Sequence, residues 1–85
     1  MEYYIFDTKE EAFEKSSAIY DLYVSQPRSE RTTLFAWYVF TNGSKFAMEY
    51  DSTGKFNAQG LLDGLTPETE QEVINQGYDL DTPVY

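Results

Sequence analysis

The chain has 85 residues, no cysteine, no histidine, an aromatic content of 18% and a formal net charge of −9. That length makes one domain, with a core built from a few large side chains, and the aromatic content argues against disorder in spite of the charge. The residue inventory excludes disulfides, thiolate nucleophiles, Cys/His zinc sites and Ser-His-Asp triads, and the acidity opposes contact with nucleic acid or anionic lipid.

The first element is a short apolar run, Tyr3 to Phe6, in "EYYIF", which predicts a strand buried on both sides. "DTKEE" then starts a helix, with Thr8 as cap and Glu11 reaching back in a capping box. Helix 1 is expected from Lys9 to Ser25, where Pro27 ends it. On it, Ala12, Phe13, Ser16, Ile19, Tyr20, Tyr23 and Val24 fall on one stripe. Glu10, Glu14 and Asp21 form an acidic ridge on the opposite side, and Glu11 can pair with Lys15 at i,i+4 spacing.

After the polar connection "QPRSERT", a hairpin is expected, Thr32 to Thr41 and Ser44 to Tyr50, joined by Asn42-Gly43. Asn-Gly suits a tight turn because both central residues of such a turn require positive φ. "NGS" is also a glycosylation sequon, but the N-terminus has no secretory pattern and the turn reading takes precedence. The first hairpin strand is apolar on both faces, with Leu34, Ala36, Tyr38 and Phe40 on one and Phe35, Trp37 and Val39 on the other. This favours the centre of the sheet for it. In the second strand Phe46, Met48 and Tyr50 line one face and Lys45, Ala47 and Glu49 the other, which predicts a half-exposed strand.

"DSTGKFNAQGLLDGL" is turn-rich and connects, with Leu61, Leu62 and Leu65 as apolar pins. "LTPETEQEVINQG" predicts a second helix with Thr66 as cap, Pro67 at its first position and Gly77 as its stop. Only Val73 and Ile74 give that helix apolar anchoring. The expected fold is therefore α+β, in the order β-α-β-β-α, with a three-stranded antiparallel sheet in one domain spanning residues 1–85 and helix 1 across one face. The other face is expected under the 56–65 segment, helix 2 and the tail, or against another molecule.

No motif specifies a reaction. Asp51, Asp63, Asp79 and Asp81 are the eligible carboxylates, but no catalytic spacing links them and they read as solvated loop acids. "DSTGKFNAQG" lacks a calcium-loop pattern and "GLLDGL" lacks a dinucleotide-loop pattern, so neither metal nor cofactor is expected. A base-stacking sheet would need flanking cations, and the chain has six in all. No window approaches a membrane span, and cytoplasmic residence is the expectation.

Charge is unevenly placed. Residues 1–48 hold seven acids and five bases, net −2, whereas residues 49–85 hold eight acids and one base, net −7. "EYYIFD" followed by "TKEEAFEKSSAIYDLY", in a chain this short and acidic, resembles the small accessory proteins of tailed bacteriophages. That resemblance implies a class, proteins that bind and inhibit a host enzyme or serve as small virion parts, and carries no site residue with it. The expected function is a non-enzymatic acidic module that occupies a basic or nucleic-acid-binding site on a host protein, with carboxylates standing in for phosphates. Glu68, Glu70, Glu72, Asp79 and Asp81 are the expected charges, and Tyr78, Tyr85 and Trp37 the aromatic anchors. The alternative is an assembly protein, a homodimer or virion component, that joins through the aromatic sheet face of Phe35, Trp37 and Val39.

Overall fold

The computed structural model describes residues 1–30, 38–51, 58 and 60–85. Its elements are β1 (Glu2–Phe6), α1 (Lys9–Ser25), a 3-10 turn (Arg28–Glu30), β2 (Val39–Thr41), β3 (Phe46–Tyr50) and α2 (Glu70–Asn75). The β-α-β-β-α order and the three-stranded antiparallel sheet are as the sequence predicts. Leu34, Phe35, Ala36 and Trp37 of the expected first hairpin strand lie outside the described residues.

The strand order is β1-β3-β2, so the centre belongs to β3 and not to the strand that ends at Thr41. Both neighbours run antiparallel to β3, with Tyr3 opposite Glu49 and Phe40 opposite Ala47. β1 and β2 are therefore parallel to each other, two positions apart, and α1 is the crossover between them. Strands two positions apart are separated by ~10 Å, about the width of a helix, so α1 lies over β3 while joining its neighbours. β3 is not half exposed either: Ala47 and Met48, on opposite faces, are both fully buried.

Two apolar clusters flank the sheet. On the α1 side Tyr4, Phe6, Val39, Met48 and Tyr50 meet Ala12, Ile19 and Tyr23. The buried helix stripe is narrower than expected, because Tyr20 and Val24 are largely exposed. Leu61, Leu62 and Leu65 pack on this same side, not on the second face, and the Lys15 Nζ donates to the Leu61 carbonyl at 2.6 Å. That bond takes the place of the expected Glu11–Lys15 pair, and the Glu11 carboxylate instead accepts from the Thr8 hydroxyl at 2.9 Å.

On the other side Tyr3, Phe40 and Ala47 are covered by Val73 and Tyr78, with Ile5 and Leu80 at the margin. Helix α2 begins three residues later than Pro67 would set it, because Glu68 is drawn into an antiparallel bridge with Tyr3. Thr69 is the cap, in a full capping box with Glu72. At the other end Gly77 (φ 89°) donates to Ile74 at 3.0 Å and Tyr78 donates to Val73 at 3.2 Å. These two bonds are the reverse-turn closure that needs a left-handed residue and brings Tyr78 back onto Val73.

The hairpin turn is also displaced. Thr41 lies opposite Phe46, which makes Gly43 and Ser44 the central pair instead of Asn42-Gly43. The Asn42 Oδ1 accepts from both Ser44 N and Lys45 N (2.9 and 2.8 Å), and Gly43 takes a positive φ of 90°. An Asn side chain that substitutes for a backbone carbonyl shifts the turn by one residue.

Candidate functional site

Residues 60–85 contain Asp63, Glu68, Glu70, Glu72, Asp79 and Asp81 and no lysine or arginine. From Glu68 onward this stretch is a strap across the sheet. It begins at the outer edge of β1, where Tyr3 and Glu68 exchange hydrogen bonds of 2.9 and 2.8 Å. It crosses the second face as α2 and arrives at the outer edge of β2. There Asp79 N donates to Thr41 O and Val84 N to Val39 O. The final residue then turns onto α1, where the Tyr85 ring meets Phe13 at a centroid distance of 4.2 Å and its hydroxyl meets Ser17 Oγ at 2.8 Å.

The strap distributes the expected charges in two groups. Glu68, Glu70 and Glu72 surround the start of α2, and Asp79 and Asp81 stand together at the β2 edge, where Asp81 N donates to Asp79 Oδ1 at 3.0 Å. Besides Asp79, two of these carboxylates accept local hydrogen bonds: Glu72 Oε1 from Thr69 N at 2.9 Å, and Glu68 from the Gln76 side-chain amide. Glu70, Asp79 and Asp81 are exposed.

The anchors fare differently. Tyr78 is only 5% exposed and packs on Val73, so it is a core residue and not a surface anchor. Burial, with the Glu68 charge as a smaller cause, pushes its hydroxyl above the ordinary tyrosine range, and no hydrogen bond reaches that hydroxyl. Tyr85 is half exposed but held by Phe13 and Ser17. Trp37 lies outside the described residues. Val39, the described member of the stripe that suggested self-assembly, is fully buried in the α1-side cluster.

Asp51, expected as a solvated loop acid, is instead only 7% exposed, because it directly follows the buried end of β3. Sequence reasoning also missed a half-buried acid on β3 itself. Glu49 on β3 lies opposite Tyr3 on β1, and its amide donates to the Tyr38 carbonyl at 2.9 Å on the other side. Residues directly opposite one another present their side chains to one face, so Tyr3, Glu49 and Tyr38 form a row on the α2 side of the sheet. Glu49 is half buried, and desolvation holds its carboxyl above the usual range; the Met1 amine acts to lower it and Glu70 to raise it further. Tyr3 is pushed up to about 12, by burial first and then by the charges of Glu49 and Glu70. The alternation Lys45, Ala47, Glu49 was visible in the sequence, but it points to a site only once β3 is placed at the centre.

A groove of 560 Å³ lies between α1 and β1, lined by residues that include Ile5, Phe6, Ala18 and Leu65. Of the acids on its rim, Asp7 is paired with Lys45 at 3.4 Å and Glu11 is held by Thr8. Its charge is thus mostly committed within the molecule. Among the described residues no group of three or more His, Cys, Asp or Glu could hold a metal ion, and no helix is long and apolar enough to cross a membrane.

Fold and site together define a small α+β domain whose sheet is strapped edge to edge by an acidic segment. No protein-family model, curated protein or solved structure matches the chain.

Proposed function

We propose that the protein is a non-enzymatic binding module whose acidic strap occupies a basic, nucleic-acid-binding surface on a host protein. The observation that carries this reading is that residues 60–85 bring six acids and no base to the surface on a segment hydrogen-bonded at both sheet edges. A held array of carboxylates can mimic spaced phosphates at low entropic cost, and opposite charge speeds encounter with a basic partner. In this reading the protein is phage-encoded and acts in the host cytoplasm, as its resemblance to small accessory proteins of tailed bacteriophages implies. It needs no cofactor and contacts neither nucleic acid nor membrane directly.

The test is capture of partners from a bacterial lysate at low salt and at ~0.5 M salt, where exposed ion pairs are largely screened. The comparison is between the wild-type chain and a Glu68→Lys/Glu70→Lys/Glu72→Gln variant. Glutamine at 72 keeps an acceptor for the Thr69 amide. Loss of a salt-sensitive partner in the variant supports the reading. Affinity and salt dependence that do not change on charge reversal remove it.

A further inference from the structure

We infer that Asn42-Gly43 is a site of spontaneous deamidation that the native turn guards, and that its conversion uncaps α2 and loosens the strap. The binding function proposed above makes no use of this pair.

Asn-Gly is the dipeptide in which the reaction meets least hindrance, because glycine has no side chain to screen its amide or restrict its backbone. The Gly43 nitrogen attacks Asn42 Cγ, and a C–N bond forms there as the Cγ–Nδ2 bond breaks. The proton of the Gly43 amide leaves with Nδ2 as ammonia. One water then opens the succinimide ring at either carbonyl, which gives aspartate or isoaspartate at position 42.

The reacting groups are all held in the native turn. The Gly43 amide donates to Thr41 Oγ1 at 3.0 Å. Asn42 Oδ1 accepts from Ser44 N and Lys45 N, and Nδ2, the leaving group, donates to the Gln76 carbonyl at 3.1 Å. Ring closure needs a Gly43 nitrogen freed from Thr41 and an Nδ2 freed from Gln76. The reaction therefore starts from a locally opened turn.

The bond to Gln76 is also structural. Gln76 is the C-cap of α2, and the last carbonyls of a helix have no partner within it. Asn42 Nδ2 caps one of them from the hairpin, and the approach is close: a Cβ placed on Gly77 would lie 3.9 Å from Asn42 Cβ. A carboxylate at position 42 keeps the acceptor for Ser44 and Lys45, so the turn survives. It has no donor for Gln76, and it sets a negative charge against the carbonyl end of a helix whose last turn contains no basic residue. The end of α2, and with it the return of Tyr78 onto Val73, loses its tie to the hairpin.

The experiment incubates the full chain, native and in urea, at mildly alkaline pH and follows conversion at position 42 by peptide mass spectrometry. The native chain should react at least ~10-fold more slowly, because several hydrogen bonds must open first. Thr41→Val removes the acceptor for the Gly43 amide and should narrow that gap. Equal rates in the native and unfolded chains overturn the guard.

Asn42→Asp then reproduces the aspartate product and is read by amide hydrogen exchange. Gly77 and Tyr78 should exchange about fivefold faster than in the wild-type chain, the worth of one hydrogen bond, while Ser44 and Lys45 keep their protection. The aspartate form purified from aged wild-type protein should show the same pattern. Unchanged exchange at Gly77 and Tyr78, or equal loosening at Ser44 and Lys45, overturns the link to α2.

Discussion

The Val84 amide donates to the Val39 carbonyl at 2.7 Å, so the C-terminal tail occupies the outer edge of β2. At the opposite edge of the sheet Glu68 does the same for Tyr3. An uncovered strand edge is a template for pairing with another chain, and both exposed margins of this sheet are therefore sealed by one segment.

Replacing Val84 with proline removes the donor of that bond. The expected cost is about 1 kcal/mol of unfolding free energy, the net worth of one hydrogen bond, measured by urea denaturation. The variant should also self-associate at high concentration in sedimentation experiments, because the β2 edge is freed. Unchanged stability together with a monomeric variant would mean that the tail does not guard the edge.

Tyr78 packs through its ring while its hydroxyl is buried without a hydrogen bond. Tyr78→Phe keeps the ring and discards the unsatisfied group, so a stabilisation of about 1 kcal/mol is expected. A loss of similar size would show that the hydroxyl has a partner in solution.

Helix α2 has six residues, too few to persist alone in water, and it is held to the sheet by Val73, its one buried residue. Val73→Ala should cost about 2 kcal/mol through the cavity it leaves on Ala47 and Phe40. Its neighbour Ile74 is 48% exposed, and Ile74→Ala should fall within about 0.5 kcal/mol of wild type. Chemical denaturation of the two variants side by side makes the comparison, and equal costs would contradict the observed face of the helix.

The raised carboxyl of Glu49 makes stability depend on pH with a definite sign. Between its unfolded value of about 4.3 and its higher folded value, the native state holds more protons than the unfolded one, so stability falls as pH rises through that window. Above the window the charged Glu49 is a standing penalty, and Glu49→Gln should therefore be more stable than wild type at pH 7. The difference should vanish below about pH 4, where the unfolded carboxyl is also protonated. Unfolding curves of both proteins across pH 3 to 8 measure it, and a pH-independent difference would assign the effect to packing. At the alkaline end Tyr3 and Tyr4 titrate at about 12, so the folded state keeps their protons longer than the unfolded one and loses stability as pH rises above 10.

Element type and chain order were legible in the sequence, because they follow from local patterns. The apolar run of "EYYIF", the cap at Thr8, the stop at Gly77 and the span of α1 each depend on residues within a turn or two of one another. The acidity of the C-terminal part was equally visible as composition. Strand order, the late start of α2, the burial of Tyr78 and the half-buried place of Glu49 were not. Each is decided by residues far apart in the chain: α1 needs β3 beneath it, Glu68 is claimed by Tyr3, Tyr78 is folded back onto Val73, and Glu49 is enclosed between β1 and β2. Composition and local spacing set which residues carry charge and which elements form. Only the closing of the sheet and its strap decided which of those charges lost their water, because desolvation is a property of the packed whole.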